Sequence, residues 1–220
     1  MADFINTVDV LGDDAVIDSI INRTITEFKD DSVITIGPSA FYGCKQLTEV
    51  DCPAVTIIDQ NAFYGASMLS RVNFPNAVEL HPYKTTASSA FRNCTSLRTA
   101  VFPEVTSING YYLFAGCDNL KWVDFPKLIG WYCQFTFPNV STFKGVFLRS
   151  TAAVCVQGVG ATIGFAQGHV YVPKTMDDGR DGIAAYEAAS NWSTFAGRFR
   201  YIEDYTVDGT LTGEIDENKI

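Results

Sequence analysis

The sequence predicts an α/β solenoid. Short coils stack along one axis, each with one short strand, between a small helical cap in front and a helix–strand cap behind. Three observations carry that expectation. Four segments, Ala40–Pro53, Ala62–Pro75, Ala90–Pro103 and Leu113–Pro126, follow one pattern, Ala-Phe-x-x-Cys-x-x-Leu-x-x-Val-x-Phe-Pro, with few departures. Their phenylalanines Phe41, Phe63, Phe91 and Phe114 stand 22, 28 and 23 residues apart, a spacing typical of solenoids. Each segment has one apolar edge that it cannot bury alone, and stacking coil on coil joins these edges into one core.

The elements follow in order. Asp13 and Asp14 can cap a short helix that carries Val16, Ile17, Ile20 and Ile21 on one face. Val33–Ile36 is a degenerate first coil. Within a full coil, Phe41 and Cys44 have helical or 3₁₀ spacing and point inward. Leu47, Val50 and Cys52 point in from a strand of period two. Pro53 lacks an N–H and ends the strand, after which Val55 and Ile58 turn inward. The long interval holds an insertion, His81–Ser89, which bulges from one edge. A later coil contains Phe135–Val140 and Phe143, with Val146-Phe147 at the Ala-Phe place. Ala152–Val156 and His169–Pro173 read as strands separated by a glycine-rich segment. Asp181–Ala189 reads as a helix, with Trp192, Phe195, Phe199, Tyr201 and Ile202 as the bulk of a lid. The predicted division is therefore 1–24 N-terminal cap or attachment segment, 25–147 solenoid, 148–207 terminal strands and cap, and 208–220 polar tail.

Composition excludes several functions. At 220 residues the chain can bury a full core without metals or disulfides. A net charge of −9 repels phosphate backbones and argues against a nucleic-acid partner. No run of eighteen apolar residues suggests a membrane span. The opening ten residues have neither the basic nor the apolar region of a Sec signal peptide. Cys44, Cys94 and Cys117 share one repeat position with Ala66, which marks a small buried slot rather than a disulfide set. No CxxC pair or zinc spacing accompanies His81 and His169. Gly158, Gly160, Gly164 and Gly168 do not fit a nucleotide-binding loop. Asp177, Asp178 and Asp181 fail the calcium-loop pattern, which would need an oxygen ligand at Gly179 and a Glu at Ala188. Neither histidine lies in a nucleophile or base motif. The sequence thus predicts no enzyme, no metal and no cofactor.

The motif from Ile25 to Phe147 resembles the BspA-type leucine-rich repeat. The stretch from Val170-Tyr-Val-Pro173 to Arg200-Tyr-Ile-Glu203 is similar to the terminal cap of such proteins in gut anaerobes. The opening Phe4–Asp14 resembles short leucine-rich repeat proteins of phages and prophages. The resemblance implies a right-handed solenoid with a sheet on one face, used for adhesion and protein binding, and it brings no catalytic residues.

The candidate binding face consists of the outward strand positions. One column is Glu49, Arg71, Thr99 and Trp122, and the next is Asp51, Asn73, Val101 and Asp124, with Tyr83 in the insertion beside them. Trp122 is the expected anchor, because an outward Trp among polar neighbours suits an interface. A second aromatic group, Tyr83, Tyr111, Tyr112, Trp131 and Tyr132, reads as core filling or as a sugar platform. The function expected first is binding a protein or glycan on a bacterial surface. The protein would then sit in a phage tail or other virion, or act as an adhesin that has lost its leader. The alternative is a homo-oligomeric spacer attached through its N-terminal segment to neighbouring virion proteins.

Overall fold

The computed structural model describes residues 22–80, 89–134, 136–137, 140–152, 155–156, 167–189 and 192–204. The expected front helix, Tyr83 and most of the insertion, most of the glycine-rich segment and the tail lie outside the described residues.

Each coil carries two short strands where the pattern predicts one. On the first face lie β1 (Glu27–Lys29), β3 (Glu49–Asp51), β5 (Arg71–Asn73), β7 (Thr99–Val101), β9 (Trp122–Phe125), β11 (Gly145–Leu148), β13 (His169–Val172) and β14 (Phe199–Tyr201). The return side holds β2 (Thr35–Ile36), β4 (Ile57–Ile58), β6 (Glu79–Leu80), β8 (Ser107–Tyr111), β10 (Gly130–Gln134) and β12 (Cys155–Val156). All paired strands are parallel. The return strands form one six-stranded sheet, β12-β10-β8-β6-β4-β2. Its early members are only two residues long, too short to show an alternation in the sequence.

The first face is interrupted. Its ladder runs β1-β3-β5, stops, and resumes as β7-β9-β11-β13-β14. The interruption falls within the coil of 28-residue spacing, although in sequence the extra residues come after β6 and before Ala90.

The third side of each coil is a chain of turns. The Cys44 N–H donates to the Phe41 carbonyl at 3.1 Å, and the Leu47 N–H to the Cys44 carbonyl at 3.1 Å, an i to i−3 pattern of 3₁₀ type. Between coils, the N–H groups of Phe41, Phe63, Phe91 and Phe114 donate to the carbonyls of Ala62, Ala90, Leu113 and Thr136. The same four phenylalanines, with Phe137, stack at centroid distances of 5.3, 5.3, 5.6 and 5.5 Å into one buried spine. Burying each ring contributes roughly 1.5–3 kcal/mol. Two positions after the first three of these rings, and again after Phe114, the backbone turns left-handed. The φ values there are +69° at Gly43, +74° at Gly65, +61° at Asn93 and +68° at Gly116, and glycine and asparagine tolerate this best.

This register corrects one expectation. Val146-Phe147 does not occupy the Ala-Phe place. Thr136-Phe137 does, and Val146 lies in β11 beside Val123. The fifth copy is Phe137-x-x-Val140-x-x-Phe143-x-x-Val146, in which Thr, Val and Phe replace the Ala, Cys and Leu that advertise the earlier ones.

Cys44, Cys52, Cys94, Cys117 and Cys133 are buried thiols that form no disulfide. The Cys94 thiol donates to the Phe63 carbonyl at 3.2 Å and the Cys117 thiol to the Phe91 carbonyl at 3.0 Å, so the slot holds a weak donor as well as a small hydrophobe. Burial pushes the Cys44 thiol up to about 11 and raises Cys94 and Cys117 well above the ordinary thiol value, which makes them poor nucleophiles.

At the rear, α1 (Gly182–Ala188) follows Asp181, whose carboxylate accepts from the Ala184 N–H at 2.9 Å and from the Tyr201 hydroxyl. A Cβ at Gly182 would sit 1.8 Å from the Pro173 carbonyl oxygen, so no larger residue fits there. Tyr186 on α1 meets Phe199 and Trp192, and Trp192 meets Trp131, which joins this segment to the solenoid core.

Candidate functional site

The strand face divides at its interruption. In front, the expected columns are real ladders, with Glu49 opposite Arg71 and Asp51 opposite Asn73. The first column is laced by charge. Lys29 lies 3.6 Å from Glu27 and 3.4 Å from Glu49, while Arg71 reaches Glu49 only at 4.0 Å. In the second column the Asn73 amide donates to Asp51 at 2.7 Å. These side chains are exposed or half-buried, so each pair adds little stability. Their effect is to hold a polar surface in one geometry.

Behind the interruption the same columns leave the surface. Trp122 is only 5% exposed, and packs against Phe147 at 5.6 Å and Tyr171 at 5.9 Å. With Ile202 these rings form a second apolar cluster on the outer side of the sheet. Trp122 is therefore part of a core and not an exposed anchor. Gly145 stands beside it because an added Cβ would meet the Tyr171 ring at 2.5 Å. Asp124 is 6% exposed and pairs with Arg149, whose Nη2 lies 3.0 Å from its carboxylate. Burial raises the Asp124 carboxyl above its ordinary value, and the Arg149 hydrogen bonds oppose that shift. The Arg149 guanidinium also lies over the Phe147 ring at 5.9 Å. Thr99 and Val101 remain exposed on β7.

At the interruption itself is a notch of about 510 Å³, lined by Met68, Ser70, Arg71, Ser96, Arg98 and Asn119 among others. Sequence reading takes Arg71 as a face residue and passes over Met68 and Arg98. Both lie at outward positions beside the strand columns, and only the broken ladder brings them together.

A second feature escapes the repeat pattern. The residue after the phenylalanine is Tyr42, Tyr64 and Arg92 in successive coils. Tyr42 and Tyr64 stack at 5.0 Å, and the Arg92 guanidinium lies 5.6 Å over Tyr64 and 5.0 Å over Tyr112. Tyr42 and Tyr64 share a stacked face and Arg92 bridges Tyr64 and Tyr112, so the stripe acts as a stabilising ladder between coils. Of the expected aromatic group, Trp131 is core and donates to Thr136 at 3.1 Å, while Tyr132 is 40% exposed. Asp178 pairs with Arg180 and Asp181 caps α1, so neither reads as an ion ligand. Among the described residues there is no cluster of metal-binding side chains, and no helix is long and apolar enough to cross a membrane.

Comparison with known proteins agrees with this geometry. A family model for the BspA type leucine rich repeat region matches residues 18–144 in six copies, more than half of the chain. No curated protein matches the chain. Among solved structures, a Leucine Rich Repeat protein of T. pallidum is 28% identical, with a TM-score of 0.44 over 57% of this chain and 53% of that one. A leucine rich cell surface protein of Faecalibacterium prausnitzii A2-165 is 18% identical, with a TM-score of 0.38 over 69% and 53%. A leucine-rich repeat protein of Bacteroides ovatus is 17% identical, with a TM-score of 0.36 over 67% and 47%. The chain thus spans about half the length of each. No catalytic family is indicated. With its repeat, its parallel ladders and its phenylalanine spine, this chain belongs to the BspA-type leucine-rich repeat family.

Proposed function

We propose that this protein is a non-enzymatic binding module that engages a protein or glycan on a bacterial surface through the front of its strand face. The observation that supports this most is the exposed, register-locked array of Glu49, Asp51, Arg71 and Asn73, with Thr99 across the notch. A surface already rigid loses little side-chain freedom on binding, so contact area converts into affinity at low ordering cost. The acidic members steer the module towards basic patches. Trp122 and Asp124 have no part in this reading. The coil is read as right-handed, the usual hand for parallel crossover connections, with the segment around α1 sealing its rear end. The setting is a phage tail or a bacterial cell surface, and the phage-like opening segment favours the former.

The test is retention of fluorescently labelled protein on cells of gut anaerobes. A variant combining Glu49→Ala, Asp51→Ala, Asn73→Ala and Thr99→Ala should lose at least about tenfold in retention, since a few residues carry most binding energy. Equal retention removes the strand face from consideration.

A further inference from the structure

The notch between β5 and β7 has a chemistry of its own. Two guanidinium groups, from Arg71 and Arg98, line it, and no carboxylate does. Arg71 has 77% of its side chain exposed and only a long contact with Glu49. Arg98 is exposed and makes no ion pair among the described residues. The neighbouring polar groups are partly spoken for. Ser70 donates its hydroxyl to the Thr48 carbonyl at 3.2 Å, and Asn119 donates its amide to the Thr95 carbonyl at 2.8 Å. What faces an incoming ligand is therefore two donor forks and the Ser96 hydroxyl. In a chain of net charge −9, a concave spot of this kind is an unusual place for an anion to settle.

From this geometry we propose that the notch binds carboxylate side chains of an acidic peptide segment. The proposal rests on the strand-face reading above and names the ligand chemistry of one part of that face. Guanidinium forks match carboxylates bidentately. Glu49, on the flank of the notch, tolerates a singly charged carboxylate better than a doubly charged phosphate. The lining offers half-exposed Met68 as an apolar wall and no aromatic face for a sugar ring to stack upon. Cα atoms of β5 and β7 still approach within 8 Å, whereas an added strand needs about twice the normal spacing of ~4.8 Å. The peptide therefore lies across the notch and is recognised by side chains, without joining the ladder.

Calorimetric titration with a blocked heptapeptide of alternating glutamate and aspartate tests this. Saturable binding that weakens with added salt is expected, and about tenfold weaker binding for Arg71→Gln or Arg98→Gln, the loss of one charged hydrogen-bonding partner. Both residues are exposed, so the variants should melt like the parent. The same peptide with glutamine and asparagine in place of the acids should not bind. Unchanged affinity in either arginine variant overturns the proposal. So does equal binding of the amide peptide, or tighter binding of inorganic phosphate or oligogalacturonate. The face variant used for cell retention leaves both arginines in place. Loss of retention there with no peptide binding sinks the notch alone, whereas arginine-dependent peptide binding with full retention sinks the broader strand-face reading alone.

Discussion

The front and rear of the strand face share one register and have opposite outer surfaces. On β3 and β5 the outward positions hold Glu49, Asp51, Arg71 and Asn73, all in contact with water. On β9, β11 and β13 the corresponding ladders hold Trp122, Asp124, Phe147 and Tyr171, all nearly or fully buried. Phe147 and Tyr171 stack at 4.5 Å on the side of the sheet where Asp51 and Asn73 bond in front. The repeat therefore dictates what points inward and leaves the outward chemistry free. Half of one face can serve as a polar surface while the other half grows a second core.

That contrast can be broken most directly at Trp122. Trp122→Ala should cost about 3–5 kcal/mol in urea unfolding, the range for truncating a buried aromatic, whereas Arg71→Gln on the same column should stay within about 0.5 kcal/mol. Equal and small losses at both sites would mean that the rear cluster is not a core.

The buried ion pair sharpens the comparison next. Asp124→Ala removes the carboxylate from the partly buried Arg149 guanidinium and should destabilise by about 3 kcal/mol, while the pair Asp124→Leu and Arg149→Met should recover most of that loss. If the double variant is no better than the single one, the pair contributes more than its own desolvation cost.

The smallest effect concerns His169, at the edge of the rear cluster. Burial, helped by Arg200 and Arg198, holds its imidazole below the ordinary value. An unfolded chain then binds the proton more readily. The stability this group contributes is fully present above the ordinary histidine value and is lost as pH falls through the lower, folded one. Between about pH 7 and pH 5 the parent should lose more thermal stability than His169→Gln, by less than about 1 kcal/mol because the ring is partly exposed. Parallel pH profiles would show that the group titrates alike in both states.

The inward half of the molecule was legible because stacking repeats the same constraint in every coil. Phe41, Cys44, Leu47 and Val50 recur at fixed intervals, and all are buried. The left-handed corners also leave a trace, with Gly43, Gly65, Asn93 and Gly116 at one repeat position. The fifth copy is legible as a coil but reads out of register, because hydrophobic residues of other shapes fill the same slots in Val140 and Phe143. The site was harder to read. An outward Trp beside Asp124 looks like an anchor until Phe147 and Tyr171, 25 and 49 residues later, are seen to lie against it. The notch left no motif at all, since it arises from the absence of a pairing between β5 and β7. The Tyr42–Tyr64–Arg92 stripe shares one repeat position, yet its stacking depends on ring orientations that spacing does not carry.

The interruption has a mechanical consequence. At that level, among the described residues, the coils are stitched by β6 to β8 on the return side, by the Phe63 and Gly65 bonds to Ala90 and Arg92 on the turn side, and by the Ser96 N–H to the Ser67 carbonyl at the corner before the strands. The strand side is an open seam. A filament pulled from its two ends would gape there first, hinging about the unbroken six-stranded sheet like a book about its spine. Any ligand bridging the seam would act as a clasp.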